Sequence, residues 1–251
     1  MIDEHEQQSR PDTPDPGLAG AEPEPEPAEP AEPAKSAEPA EPAPTPAKHK
    51  SFWRELPILL GVAIVVAVVV RAFVLQTFYI PSESMEHTLN IDDRVLVNKL
   101  VYDFRSPRRG EVIVFKAPDQ WRSDPNEEDF IKRVIAVGGD HVVCCDPQGR
   151  ISVNGKPLDE PYLYSDNGLA DAPSQDSFDV QVPAGRLWVM GDHRSHSGDS
   201  RELFMRTRDP GRATIAEDAV VGRAFVVFWP FNRAKWLTVP GTFDSIPSPP
   251  G

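Results

Sequence analysis

The sequence lacks a basic stripe and any nucleic-acid motif. Lys and Arg number 26 against 39 Asp and Glu, a formal net charge of -13. Nucleic acid is therefore set aside as a partner. Cysteine is nearly absent. Cys144 and Cys145 are adjacent, and the chain offers neither another partner. They fit a vicinal disulfide or two small apolar residues equally well. A second long apolar run is also missing: Val220 to Trp229 is too short to span a bilayer and carries Arg223. Residues 1–50 are short of large apolar side chains. They hold 12 acidic and 4 basic residues, a net of -8, with 12 of the 28 prolines in repeats such as EPEPEPAEPAEPA. Such a stretch buries too little surface to offset its ordering entropy, so 1–50 is expected to be a disordered, partly extended tail.

One long apolar run is present. Leu56 to Leu75 meets the roughly 20 residues a span requires, with Arg71 near one end where its stem can snorkel. Pro57 falls in the first turn, where proline is tolerated. A cleaved secretory signal is disfavoured by the acidic leader and by the lack of a small-x-small site after the run. A transmembrane helix is expected over 51–77. Lys48, Lys50 and Arg54 place its N-terminal side in the cytoplasm.

Residues 78–243 suffice for one extracytoplasmic domain with its own core. Short Val- and Ile-rich runs punctuated by Gly, Pro and Asp predict strands at 94–104, 111–117, 130–137, 141–144, 150–153, 187–190 and 220–229. Asn154-Gly155 and Gly138-Gly139 look like hairpin turns. The expected class is mainly β, with antiparallel, barrel-like sheets behind the helix. Residues 155–185 read as an irregular insertion, and 244–251 as a loose C-terminus.

Three features carry chemistry. In IPSESMEHTL, Pro81 favours an extended backbone, which would put Ser82 and Ser84 on one side. Two hydroxyls on one side suit a nucleophile and an oxyanion donor, although the ten residues alone fit a polar loop better. In DFIKRVIAV, strand alternation places Phe130, Lys132, Val134 and Ala136 on one face, and Ile131, Arg133, Ile135 and Val137 on the other. Both faces are apolar, so at least one cation lies close to a core. A buried lysine favours its neutral form and can act as a base, whereas a lone lysine more commonly snorkels at a strand end. In MGDHRSHSGDSR, the groups of Asp192, Ser197, Asp199, Ser200 and Arg201 can satisfy one another. A polar surface turn or a weak metal set (Asp192, His193, His196, Asp199) fits the same residues.

The blocks IPSESMEHTL, IDDRVLVNKL, FIKRVIAVGGD and MGDHRSHSGDSR, in this order after one apolar helix, resemble the bacterial type I signal peptidases, of an actinobacterial type. The resemblance covers about residues 50 to 232 and implies a membrane-bound serine endopeptidase with a Ser/Lys dyad. By motif position it implies Ser84 as nucleophile, Ser82 as oxyanion donor, Lys132 as general base and Ser197 as the group orienting its amine. Asp199, Arg201, Asp192 and Arg133 would support the site. Ile80, Pro81, Met85 and Ile131 would line shallow pockets for small residues. The resemblance implies no cofactor and no metal. Its partners would be secreted preproteins with signal peptides, the lipid bilayer and, by proximity, the secretion translocon. Trp121, Trp229, Phe231 and Trp236 are candidates for resting on the outer leaflet. His87 stands where many members have proline. Competing readings are a Ser-His-Asp hydrolase using His193 or His196, and a membrane-tethered β domain that only binds secreted proteins. A self-cleaving repressor-type peptidase shares the Ser/Lys chemistry but needs a DNA-binding domain where this chain has the apolar helix.

Overall fold

The computed structural model describes residues 52–249. The expected tail over 1–50 lies outside the described residues. Helix α1 (Phe52–Val69) gives way to a π-helical turn, Val70–Val74. Strand β1 (Leu75–Tyr79) follows at once, paired in register with β2 (Arg94–Asn98) from Leu75 opposite Asn98 to Tyr79 opposite Arg94. The helix expected through residue 77 thus stops earlier, because the last apolar residues of the run find a strand partner some twenty positions downstream. Among the described residues, no helix is long and apolar enough to cross a membrane.

Helix α2 (Val101–Phe104) follows β2. The chain then forms β3 (Val112–Lys116), β4 (Asp129–Val137), β5 (His141–Cys144), β6 (Ile151–Val153), β7 (Lys156–Pro157), β8 (Ser165–Asp166), β9 (Leu169–Ala170), β10 (Phe178–Gln181) and β11 (Arg186–Met190). Helices α3 (Ser200–Thr207) and α4 (Pro210–Ala213) come next, then β12 (Ile215–Ala216), β13 (Val220–Trp229) and β14 (Lys235–Trp236). All pairings are antiparallel. The larger sheet runs β1-β2-β13-β3-β4-β11-β12, with β14 on β13; a smaller one runs β10-β5-β6-β7; β8 and β9 form a two-stranded arm. The fold is therefore mainly β, as expected. The larger sheet is an open path ending at β1 and β12 rather than a closed barrel.

Period-2 alternation feeds two cores. On β3, Ile113 and Phe115 join the larger core, while Val112 and Val114 join a second one with Val95, Val97, Ala224 and Val227. A strand buried on both faces reads as a continuous apolar run, as β3 does. Asn154-Gly155 is a hairpin turn between β6 and β7, both residues having positive φ as a type I′ turn requires. Gly138-Gly139 is not: β4 and β5 belong to different sheets, and the pair carries the chain between them.

Two segments expected to be irregular are ordered. Phe178 and Val180 are buried and alternate with exposed Asp179 and Gln181, so β10 pairs with β5 inside the predicted insertion. The C-terminal end packs as well: Phe243 and Ile246 enter the larger core, and Asn154 Nδ2 donates to Pro247 O. Cys144 and Cys145 are joined to each other.

Candidate active site

The nucleophile turn is built from its apolar residues. Ile80, Met85 and Leu89 are all buried in the second core. The chain between them must therefore turn rather than run on extended. Glu86 N–H donates to Glu83 O at 2.8 Å, and Leu89 N–H to Met85 O at 2.7 Å. At the start, Ile80 N–H donates to Asp93 O, continuing the β1–β2 pairing past Tyr79. The expected extended backbone holds only around Pro81, yet the two serines do meet: Ser82 Oγ and Ser84 Oγ are 3.5 Å apart.

Strand β4 brings the second group. Lys132 sits opposite Ile113 of β3, and its Nζ lies 2.6 Å from Ser84 Oγ in a buried hydrogen bond. Only 5% of Lys132 is exposed, so this lysine does not snorkel. Burial is the main influence on its amine and pulls the pKa from 10.5 to about 8. The carboxylates of Asp199, Glu127 and Asp192 oppose the drop, and the Arg201 charge adds to it. The ammonium also stands 5.6 Å from the Phe130 ring centroid.

Two buried ion pairs brace these groups. Arg133 grips Asp192 bidentately, at 2.8 Å through Nε and 2.5 Å through Nη2, and its Nη1 donates to Gly110 O. Thr88 Oγ1 donates to the same Asp192, tying the nucleophile turn into the pair. Asp199 caps α3 by accepting from Arg201 N–H, and its two oxygens take Arg201 Nε at 3.0 Å and Nη2 at 2.8 Å. Burial alone would raise the Asp199 pKa; the Arg201 charge and hydrogen bond, with the Gly191 N–H, hold it below the usual carboxylate range. Gly191 has no room for a side chain, because a Cβ there would collide with Ser84 O and Ser197 Oγ. Asp192 and Asp199 are thus each committed to an arginine, which dissolves the four-residue metal set considered from the sequence.

Ser197 does not sit as the motif reading expects. Its hydroxyl is buried beside Asp199, whose carboxylate it helps keep deprotonated, but it makes no hydrogen bond of ordinary geometry. Lys132 Nζ has its hydrogen bond to Ser84 instead. Met85 departs too: it is wholly buried in the core beneath the turn. Ile80, Pro81 and Ile131 line a cleft of about 280 Å³ that also exposes Ser82, Ser84 and Lys132. Trp121 is buried with its Nε1 donating to Arg212 O, so it does not face outward, whereas Trp229, Phe231 and Trp236 are exposed.

No histidine ring among the described residues bonds Ser84 Oγ. His193 reaches the nucleophile only through its backbone N–H, which donates to Ser84 O at 3.2 Å. Its ring contacts Glu83 O and His196. The supporting roles of Thr88, Gly110, Gly191 and Glu127 were missed from the sequence. Thr88 and Gly110 act across long sequence separations, and a lone Thr, Gly or Glu gives no local signal. The α3 cap did leave one, since Asp199 with Glu202 three residues on is a capping pattern.

A family model described as signal peptidase, peptidase S26, matches residues 53–229. Signal peptidase I of Mycobacterium tuberculosis (strain H37Rv) is 41% identical over 228 residues, covering 76% of this chain and 76% of that protein. A probable signal peptidase I of Mycobacterium leprae is 39% identical, covering 75% of this chain and 80% of the relative. A crystal structure of a signal peptidase I from Enterococcus faecalis V583 is 27% identical, with a TM-score of 0.34, and covers 47% of this chain and 97% of that one. With the family match extending over most of the chain and the mycobacterial relatives aligned across three quarters of it, the chain belongs to the signal peptidase family, peptidase S26.

Proposed function

We propose that this protein is a serine endopeptidase that removes signal peptides from secreted preproteins, with Ser84 as nucleophile and Lys132 as general base. The observation that carries the reading is the buried 2.6 Å contact between Lys132 Nζ and Ser84 Oγ, made by a lysine whose pKa burial lowers to about 8. Near that pH a substantial fraction of the amine is neutral. The Ser84 hydroxyl can then give its proton to Nζ as Oγ attacks the carbonyl carbon. The oxyanion forms beside the Ser84 backbone N–H and the Ser82 hydroxyl, which serve as its donors. The Lys132 ammonium protonates the leaving amine. The neutral lysine then activates a water that hydrolyses the acyl-enzyme. Ser197, whose hydroxyl is buried beside Asp199, is assigned the orienting of the amine once Ser84 has attacked.

Substrate choice follows from the cleft. Ile80, Pro81 and Ile131 leave a shallow apolar space, which suits a small residue such as Ala one and three places before the cut. Membrane attachment belongs to the same proposal. Ile58, Leu59 and Val65 of α1 are each more than 60% exposed, an apolar surface that water does not favour. With the following π-helical turn and the preceding cations, the helical segment ending at Val74 serves as an anchor with its N-terminal side in the cytoplasm. The 78–243 domain then lies outside, and Trp229, Phe231 and Trp236 rest on the outer leaflet. The test is incubation of the purified chain with a preprotein bearing an A-x-A site, followed by N-terminal sequencing. Cleavage directly after that site supports the reading, and binding without cleavage would favour the non-catalytic tethered domain.

A further inference from the structure

Beside the dyad stands a second cluster of chemically capable side chains. One carboxylate oxygen each from Glu83 and Glu86 and a ring nitrogen of His193 all lie within 4.8 Å of one another. His193 is only 4% exposed, Glu86 is half-buried and Glu83 is exposed. His193 Nδ1 stands 3.4 Å from Glu86 Oε2 and 3.2 Å from the Glu83 carbonyl oxygen. Tyr164 stacks on the ring at 3.9 Å, and Nε2 meets His196 Nδ1 at 3.0 Å. The ring is thus fixed from its face and from its far nitrogen.

We propose that Glu83, Glu86 and His193 bind a transition-metal dication of the Zn2+ class, and that its occupancy restrains the nucleophile turn. With the imidazole proton on Nε2 and donated to His196, the Nδ1 lone pair faces only oxygens: two carboxylates and one carbonyl. One ring nitrogen and two carboxylate oxygens within 4.8 Å of one another form a donor set that a cation can share. Arg233, whose charge reaches Glu86, is itself held bidentately by Asp93 and does not fill the position. A nitrogen with carboxylate oxygens suits Zn2+ or a similar ion, whereas Ca2+ and Mg2+ take oxygen-only sets. The bond from the second imidazole nitrogen is the support that metal-bound histidines ordinarily have.

Ligand bonds of about 2.0–2.2 Å in a tetrahedron put donor atoms roughly 3.4 Å apart. Turning the accessible Glu83 and Glu86 carboxylates closes the present spacing, and the buried ring need not move. Residues 83 and 86 flank Ser84, and the His193 N–H already holds Ser84 O. A bound ion would therefore clamp both flanks of the nucleophile to the 190–201 loop and slow cleavage reversibly.

Binding can be read without activity, so its failure is separate from failure of the peptidase reading. The full-length protein in neutral detergent, stripped with a chelator, is titrated with Co2+ as a coloured probe and with Zn2+ by calorimetry. One saturable equivalent is expected, with visible Co2+ bands that Zn2+ displaces and that Ser84→Ala retains. Glu86→Gln, Glu83→Gln and His193→Gln should each weaken the ion by about tenfold or more. The two glutamate variants, changed at accessible side chains, serve if the histidine variant does not fold. Zn2+ should inhibit wild-type cleavage and inhibit Glu86→Gln less. No saturable binding, or equal affinity in wild type and glutamate variants, would overturn the site. Equal inhibition of both enzymes would overturn the clamp.

Discussion

Replacing Lys132 with methionine should abolish cleavage and yet make the folded protein more stable at neutral pH. Methionine keeps the length and the apolar stem but carries no charge. The amine's pKa falls from 10.5 to about 8 on folding, a difference of about 3 kcal/mol between its protonation states. Below pH 8 folded and unfolded chains both carry the proton, and the folded state bears the full cost of the buried ammonium. Between pH 8 and 10.5 the unfolded chain keeps its proton while the folded one loses it, so wild-type stability rises with pH. Above 10.5 the cost is gone. The variant escapes it at every pH but loses the hydrogen bond to Ser84 Oγ, worth about 1 kcal/mol. The net gain at pH 7 is about 2 kcal/mol, or about 4–8 °C in Tm for a domain of this size. Thermal unfolding of the full-length protein in neutral detergent, followed by near-UV circular dichroism from pH 6 to 11, reads the difference. The gap should shrink through pH 8–10.5 and reverse in sign above. A variant less stable than wild type at pH 7, or a gap indifferent to pH, would refute the buried-amine argument.

The acidic limb of kcat/KM should rise through about pH 8 as Lys132 deprotonates. Glu127→Gln, which removes a carboxylate that holds the proton on Lys132, should move that limb to lower pH; a limb that stays put removes Glu127 from the site's electrostatics. Preproteins with Ala one and three places before the cut should be processed. Phe immediately before the cut overpacks the cleft by roughly 1–3 kcal/mol or more, slowing cleavage at least about fivefold. Efficient cleavage after Phe in a mass-spectrometric assay would dismiss the pocket assignment. Protease added to intact protoplasts should digest 80–240 and spare the tail, and digestion of the tail instead would reverse the topology.

Much of this was legible in the sequence for physical reasons that can be named. The Val- and Ile-rich runs of β3 and β4 are strong because both faces are buried. Lys132 stood out because it interrupts such a run. The strands that escaped depend on distant partners: β1 is the tail of an apolar run that looks like membrane helix until β2 pairs with it. The alternation in β10 was present, but Ser- and Asp-rich flanks obscured it. The turn at Ser84 escaped because proline spoke for extended backbone, while burial of Met85 and Leu89 decided otherwise. Among the site residues, a charged pair within one motif, Asp199–Arg201, could be nominated from the sequence. A hydrogen-bond vector such as that of Ser197 could not.

The central claim is that a lysine, and not a histidine, activates Ser84. Preprotein cleavage should be measured for Lys132→Arg beside a variant lacking His87, His141, His193 and His196, each checked for folding. Arginine keeps the charge but cannot give up its proton. Lys132→Arg should therefore be inactive, as should Ser84→Ala, while the folded histidine-free protein still cleaves. An active Lys132→Arg together with an inactive, folded histidine-free protein would contradict the account.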